Sequence, residues 1–439
     1  MNMNMTMVTG KSFLDNLLQG EPNMPPSSLG WLNKMRASAV ERAGTLKVPT
    51  TRDEEWRFTD ISPLAKLSFQ PTREISPLQR KDIEHFYLDE AFTTLVFVDG
   101  HYMPGLSTQS NGSGTGLIVS NLRHALTQYA KEIEPHLGQY ADFQNNLFAA
   151  LNTAFLHDGA LIIAPRNSAV DRPVHLLFIS TQAESANHPR CLLIAGPGSA
   201  VTFIEDYVTL QEGEYVTNAV TEIAIEDNAQ VSHTRIQRDS TQAFHVANCA
   251  VRLGRSSRYQ SVSATFGGRI SRYDLNVLIA AEGAECHVDG LALIKGRQLA
   301  DTHTSIDHAK PDGTSRQLHK CIIDGAAHAV FNGKIMVRPG AQRTNSSQSS
   351  RNLLLNPRAH IDTKPQLEIF ADDVKCAHGA TVGQLDAAEL FYLKSRGLSE
   401  LAARNLLTYA FGAEVIDRIP VASLKHRLER VVLEQTQRN

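Results

Sequence analysis

Between Leu161 and about Gly383 no run carries the 3/4 apolar spacing of an amphipathic helix of ten residues or more; short β-rich segments alternate with small or polar turns. Such a stretch has to bury its apolar side chains by stacking strands. Turn-like clusters, with Gly, Asp or Asn ahead of Ala or Ser, recur around Ala200, Ala229, Ser257 and Ala284, at steps of 29, 28 and 27 residues. Later clusters near Ala327 and Ala359 follow at steps of 43 and 32. A drifting period of this size predicts the coils of a β-solenoid, with insertions in some turns. A β-sandwich would show tight Asn-Gly hairpins, whereas Asn332-Gly333 lies inside a strand-like run. Stacked strands extend readily across a subunit boundary, so the open end of the solenoid is a natural dimer interface.

The rest of the chain flanks this core: residues 1–158 read as a mostly helical α/β domain, 159–383 as the solenoid and 384–439 as a helical domain. Leu29, Leu32, Met35, Ala39 and Ala43 give a helix ending at Gly44, and Leu95-Val-Phe-Val98 a strand ending in the Asp99-Gly100 turn. The segment Ser107–Gly116 is rich in Gly and Ser and is expected to be a mobile surface loop. Its Gly112-Ser-Gly-Thr-Gly116 lacks the Lys-Ser/Thr of a phosphate loop, and no such loop occurs elsewhere. After Gly383, Asp386 with Glu389 forms a capping box, Leu385 and Leu390 occupy the staple positions, and the helix stops at Gly397. Ser399 caps a second helix, and Pro420 separates a third. A helical cap protecting the end of the solenoid is the plain reading of these helices.

Of 439 residues, 42% are apolar and 20% charged; 43 Lys+Arg against 46 Asp+Glu leave a formal charge of −3, which argues against a nucleic-acid binder. The N-terminus has no apolar signal region, and no run approaches the ~18 apolar residues that span a bilayer. A cytoplasmic protein without membrane contact is expected. Five cysteines, widely spaced and without Cys-x-x-Cys, suit reduced thiols. They argue against a stably bound cluster of ferredoxin type.

The chemistry concentrates in Lys364–Gly383. Alternation puts Val374, Cys376 and His378 on one face, with Cys376 and His378 about 6.5–7 Å apart along a strand. Such a pair can converge on one soft metal or one partner surface, although a lone Cys-x-His is short of a closed site. His319 and Cys321 repeat the spacing; were their coil stacked beside that of Cys376, two sulfurs and two nitrogens could approach one another. Packing is the simpler role for Cys321, Cys191 and Cys249, and adjacent Cys286 and His287 face opposite ways. His303, Asp307 and His308 read as a solvated loop, and Arg316, His319, Lys320, Lys334, Arg338, Arg343 and Arg351 as a hydrated, basic strand face.

An ordered set of segments carries a resemblance: Ser315-Arg-Gln-Leu-His-Lys320, Ala329-Val-Phe-Asn-Gly-Lys-Ile-Met-Val337, Pro339-Gly-Ala-Gln-Arg-Thr344, Asn352-Leu-Leu-Leu355, Asp362-Thr-Lys-Pro-Gln-Leu-Glu-Ile369 and Asp372-Asp-Val-Lys-Cys-Ala-His-Gly-Ala-Thr-Val-Gly383. Together they resemble the SufB/SufD scaffold family of the SUF iron–sulfur cluster system. Cys376-Ala-His378 in the last block places the chain on the SufD branch, since the SufB branch carries a Glu-His-Glu-Ala-Thr type segment there. Glu54-Glu-Trp-Arg-Phe-Thr-Asp60, Leu151-Asn-Thr-Ala-Phe155 and Asp158-Gly-Ala160 extend the likeness more weakly.

The resemblance implies a right-handed parallel β-helix and a non-catalytic scaffold subunit. Its partners would be a SufB-like homologue and a SufC-type ABC ATPase, the latter docked on the C-terminal helices; candidates there are Leu385, Leu390, Phe391, Tyr392, Arg396, Leu401, Leu406 and Tyr409. ATP-driven pairing of two ATPase subunits would move the scaffold chains and reshape their interface. Iron or a transient Fe-S cluster would sit there, with Cys376 and His378 as candidate ligands and the remaining ligands from the partner; none would be stably bound by this chain alone. Neither residues nor resemblance speak to a flavin. A homodimer across the same edge, acting as a binding module without a metal role, is the alternative. A polysaccharide-processing β-helix enzyme would need a carboxylate cluster and an export signal, and a hexapeptide-repeat acyltransferase a strict six-residue repeat.

Overall fold

The computed structural model describes residue 17 and residues 27–72, 77–108 and 116–437. Most of the Ser107–Gly116 segment and the N-terminal residues discussed above lie outside them. From Ala160 to Gly383 the chain winds as a parallel β-helix built on an eleven-stranded and a ten-stranded sheet, and from Arg190 onward successive strands alternate between the two. Phe97, Phe178 and Tyr207 sit in register inside it, their rings stacked 5.0 and 4.9 Å apart.

The coil length is set at one corner. Gly198, Asn228, Ser256, Gly283, Asp312 and Arg343 all have φ between 51° and 69°, the left-handed region that reverses the chain sharply. Each donates its N–H up the stack, to the carbonyls of Asp227, Arg255, Glu282, Pro311, Gln342 and Asp373. The strands that follow are aligned at Ala200, Gln230, Arg258, Glu285, Thr314 and Asn345, a step of 27 to 31 residues. The expected insertions are therefore corrected. The turns at Ala327 and Ala359 belong to the opposite corner, ahead of His328 and His360 in the other sheet, and the 43-residue step is a change of corner.

Strands that precede the solenoid continue both sheets: Thr93–Val98 pairs with Val174–Ser180, and Ile118–Asn121 pairs antiparallel with Ala160–Ala164. The helices Gly30–Thr45 and Leu147–Ala154 pack on the outer face of the eleven-stranded sheet through Ala39, Ala43, Phe148 and Leu151 against Phe244 and Ile270. A fully buried ion pair anchors this side. Arg190 lies 2.5 Å from Glu222, whose carboxylate also accepts the N–H groups of Gly138, Tyr140 and Ala141.

The helices Glu400–Ile416 and Ala422–Gln437 cover the outer face of the other sheet, burying Val415, Ile416, Leu424 and Leu428 against Ile236, Val262 and Leu291. The Asp386 carboxylate caps the first C-terminal helix, Ala387–Ser395, and the Ser399 hydroxyl caps the second, as their sequence spacing predicts. The second and third of these helices lie along the flank of the solenoid, so the expected end-protecting cap is corrected: their apolar faces match the sheet surface, while Ala387–Ser395 buries none of its residues. The end itself stays open, with His360–Ile369 and Val374–Gly383 as the terminal strands of the two sheets.

No helix among the described residues is long and apolar enough to cross a membrane.

Candidate functional site at the open end

Cys376 and His378 both lie on the last strand, whose other edge pairs with no strand among the described residues. In register, Cys376 stacks on Ser346 and His378 on Gln348. The alternation read from sequence is correct: Cys376 packs with Val374 beside Ile335, Val337 and Leu367 inside the final coil. It is half-buried, and His378 is exposed. Burial pushes the Cys376 thiol above its ordinary pKa, against a backbone hydrogen bond from the Ser346 rung.

Beneath them the solenoid interior changes character. The early coils are filled by Leu, Ile, Val and aromatic residues, whereas the last ones carry two polar columns. Under Cys376, the Ser346 and Ser315 hydroxyls are 2.6 Å apart, and Ser315 Oγ lies 3.0 Å from His308 Nε2. Under His378, Gln348 donates to Gln317 at 2.9 Å, and Gln317 donates to Thr304 at 2.8 Å. Parallel, in-register stacking lets polar side chains bond up each column. The pair thus tops two buried hydrogen-bonded columns and faces whatever covers the open end.

The other candidates resolve differently. His319 stacks on Phe331 at 4.5 Å with Cys321 3.6 Å from its Nδ1, both buried two coils below the last strand. Their columns rise to Ala380 and Val382, so the four-group set with Cys376 and His378 does not form. Burial pushes His319 down to about 3 and the Cys321 thiol up to about 12, the values of packed neutral groups. Cys191, Cys249 and Cys286 are buried in the main core.

His303 and His308 correct the solvated-loop expectation, since both belong to the strand Leu299–His308. His303 lies 3.0 Å from Asp301 and 3.2 Å from Glu55; burial opposes its charge, but these carboxylates outweigh it and push the imidazole up to about 9. His308 faces inward, where burial pushes it down to about 4. Of the basic strand face, Arg338, Arg343 and Arg351 are exposed as expected and pair with Asp307, Asp312 and Glu414, and Lys334 pairs with Glu368; His319 and Lys320 depart from it, both buried, Lys320 against Glu414.

On the C-terminal helices, Phe391, Tyr392, Leu401 and Leu406 are exposed, Phe391 at 74%. Arg396 is exposed and lies over the Tyr392 ring at 5.1 Å. Leu385 and Leu390 are half-buried, and Tyr409 packs against the solenoid flank. Phe370 and Val382, at the end of the solenoid, are also exposed.

One group escaped the sequence reading. His328, His360 and Asp362 bring three donor atoms within 4.8 Å on the outer face of the eleven-stranded sheet. His360-x-Asp362 has the same i, i+2 spacing as Cys376-x-His378 and was readable; His328 joins it only through register, from one coil away.

Comparison with known proteins follows the same outline. Residues 178–411 match the family model described as the SufBD core domain of SUF system FeS cluster assembly, and residues 7–176 match the SufBD protein N-terminal region. The chain is 40% identical to an iron–sulfur cluster assembly SufBD family protein of Synechocystis sp., over 90% of this chain and 89% of that one. It is 31% identical to the iron–sulfur cluster assembly protein SufD of Escherichia coli, over 94% of this chain and 97% of the relative. It is also 31% identical to the chloroplastic protein ABCI7 of Arabidopsis thaliana, over 92% and 86% respectively.

Proposed function

From the premise that the chain belongs to the SufBD family of iron–sulfur cluster assembly proteins, we propose that it is a non-catalytic, cytoplasmic scaffold subunit. In this reading it pairs through its open solenoid end with a SufB-like homologue and carries a SufC-type ATPase on its C-terminal helices. The observation that carries it is the free edge of Val374–Gly383, with Cys376 and His378 at the top of the polar columns. Of the two terminal strands, His360–Ile369 contains Pro365, which lacks an N–H donor, whereas Val374–Gly383 contains no proline. The second edge is the better template for adding a partner strand.

Cys376 as thiolate and His378 as neutral imidazole supply one soft and one borderline donor to iron or sulfur in transit. Two donors do not close a site, so a cluster there would be completed by the partner and held transiently. Among the described residues no Asp, Glu, Cys or His adds a third donor to this pair. The exposed Phe391, Tyr392, Leu401 and Leu406 supply the apolar anchors a docked ATPase would cover.

Co-expression with SufB-like and SufC-type subunits tests both contacts. Phe370→Lys with Val382→Lys should abolish co-purification of the SufB-like chain, and Phe391→Ala with Tyr392→Ala that of the ATPase, each leaving the other contact intact. Retention of both partners by both variants would sink the assignment, and a homodimer that ignores the SufB-like chain would favour a self-associating module.

A further inference from the structure

We propose that His328, His360 and Asp362 form a site for a divalent first-row transition-metal ion, separate from the Cys376 and His378 strand end. His328 and His360 open adjacent parallel strands and are Cα partners, and Asp362 follows His360 by two residues on the same outward face. The ladder therefore holds all three side chains together without any loop. Both imidazoles turn the same nitrogen to one oxygen: His328 Nε2 lies 2.8 Å and His360 Nε2 3.2 Å from Asp362 Oδ2. The rings stand 4.9 Å apart between centroids.

Donor atoms about 3 Å apart are the separation expected around an ion that binds nitrogen and carboxylate oxygen at about 2.0–2.2 Å. Two imidazoles and one carboxylate suit Fe(II), Co(II) or Zn(II) and are a poor match for Mg(II) or Ca(II), which prefer all-oxygen shells. Three protein donors leave positions for water or a fourth ligand, and the His360 side chain is 65% exposed, so an ion can enter and leave. Further along the same two strands, Lys364 pairs with Glu54 and Lys334 with Glu368, so neither competes with the imidazoles for the Asp362 carboxylate. The site shares the final coil with Cys376 and His378 but lies on the other sheet and points outward. It is independent of the scaffold reading above.

The purified full chain, titrated anaerobically with Co(II) and read by visible absorbance, tests this. One equivalent should bind with the bands of a low-coordinate nitrogen and oxygen site and no thiolate charge-transfer band. His360→Ala and Asp362→Asn, both at the solvent-facing side of the fold, should weaken binding by about tenfold or more while circular dichroism stays unchanged. Cys376→Ala with His378→Ala should bind as the parent does. Absence of saturable binding, or binding that survives His360→Ala and Asp362→Asn but is lost with the Cys376 and His378 pair, would overturn the proposal.

Discussion

Cys376 stands in register on Ser346, at the top of an inward column that descends through Ser315 to Cys286. It is the one cysteine of the five that is not fully buried. Native protein should therefore react with a bulky disulfide reagent at a single thiol, and unfolded protein at five. Reaction should accelerate with rising pH into the alkaline range, because burial holds the Cys376 thiol above its ordinary pKa. Mass spectrometry of the labelled peptide checks the assignment; labelling of Cys286 or Cys321 at a similar rate would mean that the last coils open.

His303 links the N-terminal region to the solenoid through Asp301 and Glu55, and its charge makes that link pH-dependent. A folded-state pKa near 9, above the unfolded value of about 6.5, means that the folded chain holds the proton more tightly. The stabilisation is complete below about pH 6.5 and disappears as pH rises through 9, a change on the order of 3 kcal/mol. Asp301 has the opposite sign: burial raises it, but Arg272 and His303 outweigh that and hold it down to about 2, so its share persists until strong acid. Chemical denaturation between pH 6.5 and 9.5 should show stability falling in the parent and a flatter profile in His303→Gln. Parallel profiles would remove His303 from the linkage.

Lys320, 4% exposed, lies 2.5 Å from Glu414 and donates to the Phe411 carbonyl at 2.8 Å, fastening the helix Glu400–Ile416 to the sheet. Glu414→Gln leaves a nearly buried ammonium without its carboxylate. A loss of roughly 1–3 kcal/mol is expected. Hydrogen exchange should quicken across Glu400–Ile416 and stay slow in the solenoid; uniform exchange would show that apolar packing alone holds the helix.

Much of this was legible in sequence because the β-helix imposes local signals. The alternation that set Cys376 and His378 on one face holds, as do the caps at Asp386 and Ser399, since each depends on residues within one turn or strand. What failed depended on register. Ala284 and Ala327 look like members of one repeat, but they turn opposite corners; the left-handed residues Gly198, Asn228, Ser256, Gly283, Asp312 and Arg343 mark one corner consistently. Arg343 and Ser256 are unusual in that conformation, so residue type alone hides the pattern. His303 looked solvated for want of its partners, Glu55 and Asp301, the first 248 residues away. The coil spacing that separates His319 and Cys321 from Cys376 was equally invisible without pairing.

The central claim is that the strand end bearing Cys376 and His378 takes part in cluster assembly. Anaerobic reconstitution of the co-expressed complex, with SufB-like and SufC-type subunits present, tests it most directly, comparing the parent with Cys376→Ala and His378→Ala for cluster absorbance and assembly state. Loss of cluster absorbance from an intact complex is the predicted result. Undiminished cluster in both variants, with the complex equally intact, would contradict it and reduce the pair to packing at the end of an architectural subunit.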